Sequence, residues 1–248
     1  MDSICLPKDV NVSQDLKIGD MKTLSNGGKM AGIYKNEKSF VVQTPEMYLP
    51  FGMSSWPNEE TGITKYWLDL SFRNMEDRET LQDLMKFLKD LDSLVIEQAF
   101  KNSQAWFKKK YSSKEVLEAL YNYCVKYAKD KETGEIIDKY PPTFKVNLPQ
   151  RDNQFKVEAY DKNANQVDLH QVQTKGAKVV CLLQCGGVWI AGGKFGVTWK
   201  VIQLQITPPS TISGFSIKNV KADRIDDDED IDDENVKNLT LNDSDDDQ

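Results

Sequence analysis

Residues 174–209 read TKGAKVVCLLQCGGVWIAGGKFGVTWKVIQLQITPP, and this stretch decides the fold class. It is dense in Val, Ile, Leu and Trp, and glycine pairs interrupt it at Gly186-Gly187 and Gly192-Gly193. That pattern predicts strands over 177–185, 187–191 and 197–207 with tight turns between them. On the last strand Val197, Trp199 and Val201 share one face and Lys200, Ile202 and Leu204 the other, which makes Trp199 a core residue. Cys181 and Cys185 are expected to pack in the buried strand as small hydrophobes. The apolar run 179–191 contains Gln184 and two glycines and is too short and broken to span a bilayer.

Working outward, 143–148 and 155–160 also read as strands. In 65–72 (KYWLDLSF), Tyr66, Leu68, Leu70 and Phe72 alternate with Trp67, Asp69 and Ser71, so one face of a strand meets a core. Short apolar runs at 30–34 and 39–44 flank Lys35-Asn36-Glu37-Lys38 as a hairpin. The segment 43–57 (QTPEMYLPFGMSSWP), with three prolines and a glycine, reads as a loop. Residues 1–28 are polar and are expected to be loosely ordered.

The middle is helical. From Glu79 to about Phe107, Leu81, Leu84, Met85, Leu88, Leu91 and Val95 keep the spacing of one buried stripe, and Lys108-Lys109-Lys110 suits a helix C-terminus. Ser113 is placed to cap a second helix, 114–128, with Val116, Leu117, Leu120 and Cys124 inward. Roughly eight short strands and a two-helix insert at about 76–128 predict a β-rich α+β domain over 29–222. A twisted antiparallel barrel is the first architecture and a sandwich its competitor.

Charge is distributed unevenly. Residues 223–248 hold 13 Asp and Glu, among them Asp226, Asp227, Asp228, Glu229, Asp230, Asp245, Asp246 and Asp247, against Arg224 and Lys237. Removing that segment from the totals of 32 cations and 39 anions leaves 30 and 26, a body of net +4 within a chain of net −7. The acidic segment reads as a disordered tail: high charge and few large apolar residues.

The residues argue against an enzyme. Four cysteines without CxxC pairing and a single histidine, His170, do not make a zinc set, and no other metal or cofactor is implied. Gly192-Gly193-Lys194-Phe195 fails as a phosphate loop twice: Val188 stands where the motif needs Gly, and Phe195 where it needs Ser or Thr. No GxSxG and no Cys/His arrangement offers a nucleophile. The N-terminus, MDSICLPKDV, lacks the basic-then-apolar pattern of a secretory signal. Reduced thiols fit the cytosol or nucleus.

A binding role is better supported. Aromatics and cations interleave at Trp189, Lys194, Phe195, Trp199 and Lys200, which suits the exposed base faces and phosphate line of a single strand. Lys194 and Phe195 are expected at an exposed turn tip. Trp67 lies opposite the core face of its strand, with Lys65 beside it and Arg73 just beyond. Tyr48, Phe51 and Trp56 line the proline-stiffened segment. These three either line a groove or cap the open end of the barrel, whereas Trp67 is covered either by a ligand or by the helical insert.

At 43–56 (QTPEMYLPFGMSSW) and 174–209 the chain resembles the single-stranded DNA-binding proteins of nucleocytoplasmic large DNA viruses. That family is similar to the acidic-tailed single-stranded DNA-binding proteins of podovirus-type phages. The resemblance covers about 30–210 and the character of the tail. It implies an OB-fold with a helical insertion and non-specific single-strand binding in viral DNA replication, recombination or repair, in a host cytoplasmic replication factory or the nucleus. The implied groove residues are Trp67, Lys178, Trp189, Lys194, Phe195 and Lys200. A DNA polymerase, helicase or primase is the candidate partner of the tail, a homodimer the candidate assembly, and no membrane is involved. The chain ends Asp247-Gln248 rather than on an aromatic, so an internal stretch such as 236–241 is the better docking candidate. The competing readings are an acidic-tailed chaperone or scaffold for basic proteins, and an accessory subunit of a replication enzyme.

Overall fold

The computed structural model describes residues 4–59, 62–152 and 154–210. The chain divides into two units at Pro209 and Ser210, and the fold that follows is that of the first. The acidic segment, with its eight candidate residues from Asp226 to Asp247, lies outside the described residues.

Two 14-residue strands dominate, Lys178–Ala191 (β6) and Lys194–Thr207 (β7), paired antiparallel along their length. The two strands expected over 177–185 and 187–191 are one, because a register shift between Cys185 and Gly187 bends the chain instead of ending it. Gly187 has φ 95°, and a Cβ there would stand 2.2 Å from the Ala31 carbonyl oxygen. The turn into β7 is two residues long, with Gly192 at φ 56° and Gly193 at φ 77°, the hairpin geometry that favours glycine.

Around this ribbon the sheet closes. The first barrel strand is split by Pro45 into Val41–Gln43 (β1) and Met47–Tyr48 (β2), both paired with β6. The gap is sealed by buried Thr44, whose hydroxyl accepts the Cys181 N–H at 2.9 Å while its own N–H donates to the Cys181 carbonyl at 2.9 Å. Tyr48 of β2 pairs with Ser71 at the end of Thr64–Ser71 (β4). Strand β4 pairs antiparallel with Thr143–Leu148 (β5), and Asn147 of β5 pairs in parallel with Lys200 of β7. The circuit β1/β2–β4–β5–β7–β6–β1 is the first–second–third–fifth–fourth ring of an OB barrel, antiparallel apart from the β5–β7 contact. Leu68, Leu70, Phe144, Val146, Cys181, Leu183, Trp199 and Val201 fill it.

The segment 43–57 is not a loop throughout. Met47–Tyr48 pairs within the barrel, and Met53–Pro57 (β3) pairs with β4 along an edge. Prolines at an edge strand and its ends cost no ladder bond, which is why their number misleads. The 35–38 turn forms, with Lys35 and Lys38 exchanging backbone hydrogen bonds and Asn36 and Glu37 at positive φ. Its flanks part, however: Ile33–Lys35 pairs with Leu16–Ile18, and β1 joins β6. Residues 4–28 are ordered, contrary to their polar average, because Cys5, Val10, Val12 and Leu16 enter the core one at a time.

The insertion between β4 and β5 is led by Glu79–Lys101 (α1), with the expected stripe buried. Phe87 of α1 meets Trp199 edge-on at 6.0 Å, and Phe40 and Phe144 pack on the same indole, so α1 plugs one end of the barrel. The helix breaks at Asn102 before a short Ser103–Phe107 turn. The second helix is Lys114–Leu120, eight residues shorter than expected, and Val116 is exposed. Beyond it Tyr121 and Asn122 pair with Phe195 and Gly196, and Val125 and Lys126 with Phe144 and Thr143. Sheet partners claim the backbone that helical periodicity alone assigns to a helix.

Candidate nucleic-acid interface

Because inward and outward side chains alternate along each strand, the barrel core dictates what its outside shows. Leu68 and Leu70 of β4, Phe144 and Val146 of β5, and Trp199 and Val201 of β7 point in. Their neighbours point out. Reading across the paired strands, Ser54, Trp67, Asn147, Lys200 and Gln184 therefore form one outward row over β3, β4, β5, β7 and β6. One step along, Lys145 faces Asp69, and on the other side Lys65 faces Trp56.

Within this face the Lys145 ammonium lies 3.7 Å from the Trp67 ring centroid. The Trp67 Nε1–H donates to Asp69 Oδ2 at 3.0 Å, which fixes the indole and occupies the nearest carboxylate. Asn147 Nδ2 donates to the Trp199 carbonyl at 3.3 Å and ties β5 to β7 where they run parallel. The result is a half-buried indole held edge-on by an acceptor, with Lys145 on its ring, Lys65 two residues away on the same strand, and Lys200 beyond Asn147 in the same row. Such a surface offers a π face and a row of positive charge.

The other expected residues fall into separate groups. Trp56 and Phe51 are 65% and 63% exposed, on β3 and just before it. Gly52 adopts φ 73°, and a Cβ there would stand 2.7 Å from the Lys175 backbone nitrogen, while Met53 N–H donates to Thr174 Oγ1. Phe51 is thus presented from a loop pinned to 174–175. Tyr48 is half-buried beneath Arg73, whose guanidinium carbon lies 5.4 Å from its ring centroid, and Lys178, paired across from Tyr48, contacts Glu46 at 3.3 Å. Trp189 lies in the β6–β7 ribbon beyond the bulge, paired between Met30 and Gly196, with its ring over Gly196. Lys194 is exposed at the hairpin.

Phe195 corrects the sequence reading. It is 0% exposed and packs edge-on against Tyr121 at 5.0 Å and Phe107 at 5.2 Å. The turn is only Gly192-Gly193, so Lys194 already belongs to the strand and Phe195 takes an inward position. It has no face left for a base. Trp199 is buried as expected, its Nε1 without a hydrogen-bond partner among the described residues. Lys145 and Asn147 join the outward face beside the residues named from the sequence, and the alternation in TFKVNL (143–148) puts both opposite the core face.

The buried polar groups belong to the packing. Asp92 of α1 accepts the Tyr121 hydroxyl at 2.7 Å and the Cys124 backbone N–H at 3.1 Å, pinning the chain after the second helix. Burial raises the Asp92 carboxyl above its ordinary value, and burial likewise pushes the Tyr121 phenol and the Cys124 thiol well up. Burial holds Cys181 and Cys185 at about 12, so both stay protonated and pack as apolar groups. Among the described residues no group of His, Cys, Asp and Glu is arranged to hold a metal ion, and no helix is long and apolar enough to cross a membrane.

No curated protein matches the chain. Among solved structures, gp2.5, a single-stranded DNA binding protein encoded by bacteriophage T7, is similar over 72% of this chain and 91% of its own, with 12% identity and a TM-score of 0.45. The single-stranded DNA-binding protein from bacteriophage Enc34, in complex with ssDNA, is similar over 80% of this chain and 99% of its own, with 10% identity and a TM-score of 0.42. The family model described as "Family of unknown function (DUF5871)" matches residues 73–223, more than half of the chain, and the chain belongs to that family.

Proposed function

We propose that this protein is a non-enzymatic single-stranded DNA-binding protein that takes its ligand across the outer face of β4, β5 and β7. The observation that carries the reading is Lys145 over Trp67, in one outward row with Asn147 and Lys200. An exposed cation–π contact is worth about 0.5–1 kcal/mol, whereas a base stacked on an aromatic is worth about 1–3 kcal/mol. Exchange is therefore favourable: the ammonium leaves the ring for a phosphate, and a base takes its place. Lys65 and Lys200 neutralise neighbouring phosphates, and Trp56 supplies a second stacking face. Every base has a π face, so binding is insensitive to sequence.

The same reading gives the acidic tail its task. Its 13 carboxylates compete for the cations of the groove when DNA is absent, and once displaced they are free to recruit a replication enzyme such as a polymerase, helicase or primase. The resemblance at 43–56 and 174–209 supports a role in replication, recombination or repair of a large DNA virus, in the host cytoplasm or nucleus, with a homodimer as the proposed assembly.

Titration with oligo-dT under tryptophan fluorescence tests the core of this. Stoichiometric quenching in the intact protein that is largely lost in Trp67→Ala is expected. An absent response, together with binding to a basic protein, would assign the chain to the chaperone class instead.

A further inference from the structure

We propose that the insertion builds a second stretch of nucleic-acid site, a tyrosine-lined cleft that continues the path of the strand off the barrel. The proposal rests on the single-strand reading above. Two concavities, of about 760 and 810 Å³, lie side by side with Tyr127 and Ile136 in both linings, and together they are the two halves of the proposed cleft. Its near half begins where the barrel face ends: Ser71 closes β4 and Pro142 precedes β5, the two strands that carry Trp67 and Lys145. Ser71 and Thr143 pair with each other, and Lys126, in the far half, pairs with Thr143. Along β4, Ser71 stands four residues, or about 13 Å, beyond Trp67, so the cleft opens one short length of strand from the indole, with Ser71 itself buried between them.

The chemistry of the lining is that of the barrel face repeated. Tyr48 has Arg73 over its ring, and Tyr140, 54% exposed, has the Lys139 ammonium 5.8 Å from its centroid. Tyr127 and Tyr123 stand exposed further in, beside Lys126, Lys129 and Lys89. Five cations meet the accessible carboxylates of Glu76, Asp138 and Glu118, while Asp92 is buried under its own hydrogen bonds. Tyrosine rings interleaved with cations fit a ligand that alternates π faces with phosphates. The acidic segment 223–248 has charge but contains no aromatic.

The test compares two lengths of oligo-dT, about 6 and about 16 nucleotides, which bracket the span of one OB-fold. Tyr127→Ala with Tyr140→Ala is expected to weaken the long oligonucleotide about tenfold or more and leave the short one unchanged. The Tyr→Phe pair, which keeps both rings, should bind like the parent. Equal binding of parent and Ala pair at both lengths overturns the cleft, as does an equal loss at both. A gain in affinity for the Ala pair that vanishes when residues 223–248 are deleted also overturns it, because the acidic segment would then be the occupant. Trp67→Ala separates the two levels: if it leaves the short oligonucleotide untouched, the barrel reading fails whatever the cleft does.

Discussion

Lys145 and Trp67 touch although they are not paired: Lys145 stands opposite Asp69 and Trp67 opposite Asn147, so the 3.7 Å contact crosses the β4–β5 ladder diagonally. A long side chain covers that diagonal, and here it brings a cation to rest on an aromatic face. Trp67→Ala should weaken single-strand binding roughly 5- to 150-fold, the equivalent of one stacked base, with little change in melting temperature. Lys145→Ala should cost less and lower the slope of log affinity against log salt by about 0.7, as expected for one phosphate contact on a single strand. Anisotropy titrations at several salt concentrations measure both.

Phe195 is a stability residue. Phe195→Ala should cost about 3–5 kcal/mol in urea unfolding, because it removes a ring packed against Tyr121 and Phe107. Phe195→Leu should cost much less and leave the affinity for oligo-dT unchanged. A selective loss of binding in the Leu variant would contradict this assignment.

Gly187→Ala should destabilise by more than about 2 kcal/mol. Positive φ alone costs a residue with a Cβ about 1–2 kcal/mol, and the added carbon meets the Ala31 carbonyl oxygen at 2.2 Å, which is backbone and cannot swing aside. Gly193→Ala, with nothing near its Cβ, carries only the conformational part. Unfolding curves of the two variants separate the terms.

Asp92 links stability to pH. Burial holds its carboxyl above the ordinary value of 3.8, so the fold binds this proton more tightly than the unfolded chain does. Its contribution is complete below that value and is lost as pH rises through the raised value of the folded state. Asp92→Asn cannot titrate, so the stability of the parent relative to this variant should fall as pH rises from the ordinary carboxyl value of 3.8 through the raised value of the folded state. Asp92→Ala leaves the Tyr121 hydroxyl and the Cys124 N–H without their acceptor, at about 1–3 kcal/mol each. Urea midpoints across the pH range check both variants.

Deleting residues 223–248 should tighten binding to oligo-dT, most at low salt, where the screening length grows from about 10 Å at 0.1 M to about 30 Å at 0.01 M. Affinities of the intact and shortened chains that coincide at every salt concentration would remove the tail from the groove.

Much of the fold was legible. The stripe from Leu81 to Val95 and the inward set of 65–72 follow from periodicity alone, because a buried face imposes its repeat on the sequence. The misses share one cause. The end of the second helix, the strand at 47–48 and the ordering of 4–28 depend on partners distant in the chain: Phe195 for Tyr121, β6 for Met47–Tyr48, and Val41–Val42 for Ile4–Cys5.

The candidate site divides along the same line. Sequence by itself determined that Trp67 opposes a core face, that Lys200 lies opposite Trp199, and that a mildly basic body carries a polyanionic segment, since alternation and charge are local properties. Only the tertiary structure decided which of these residues meet. Strand order and register place Trp67, Asn147 and Lys200 in one row, bring Lys145 onto the indole, and send Phe195 into the core. Register is a relation between strands far apart in sequence. A shift of one residue would have turned each of those side chains to the opposite face.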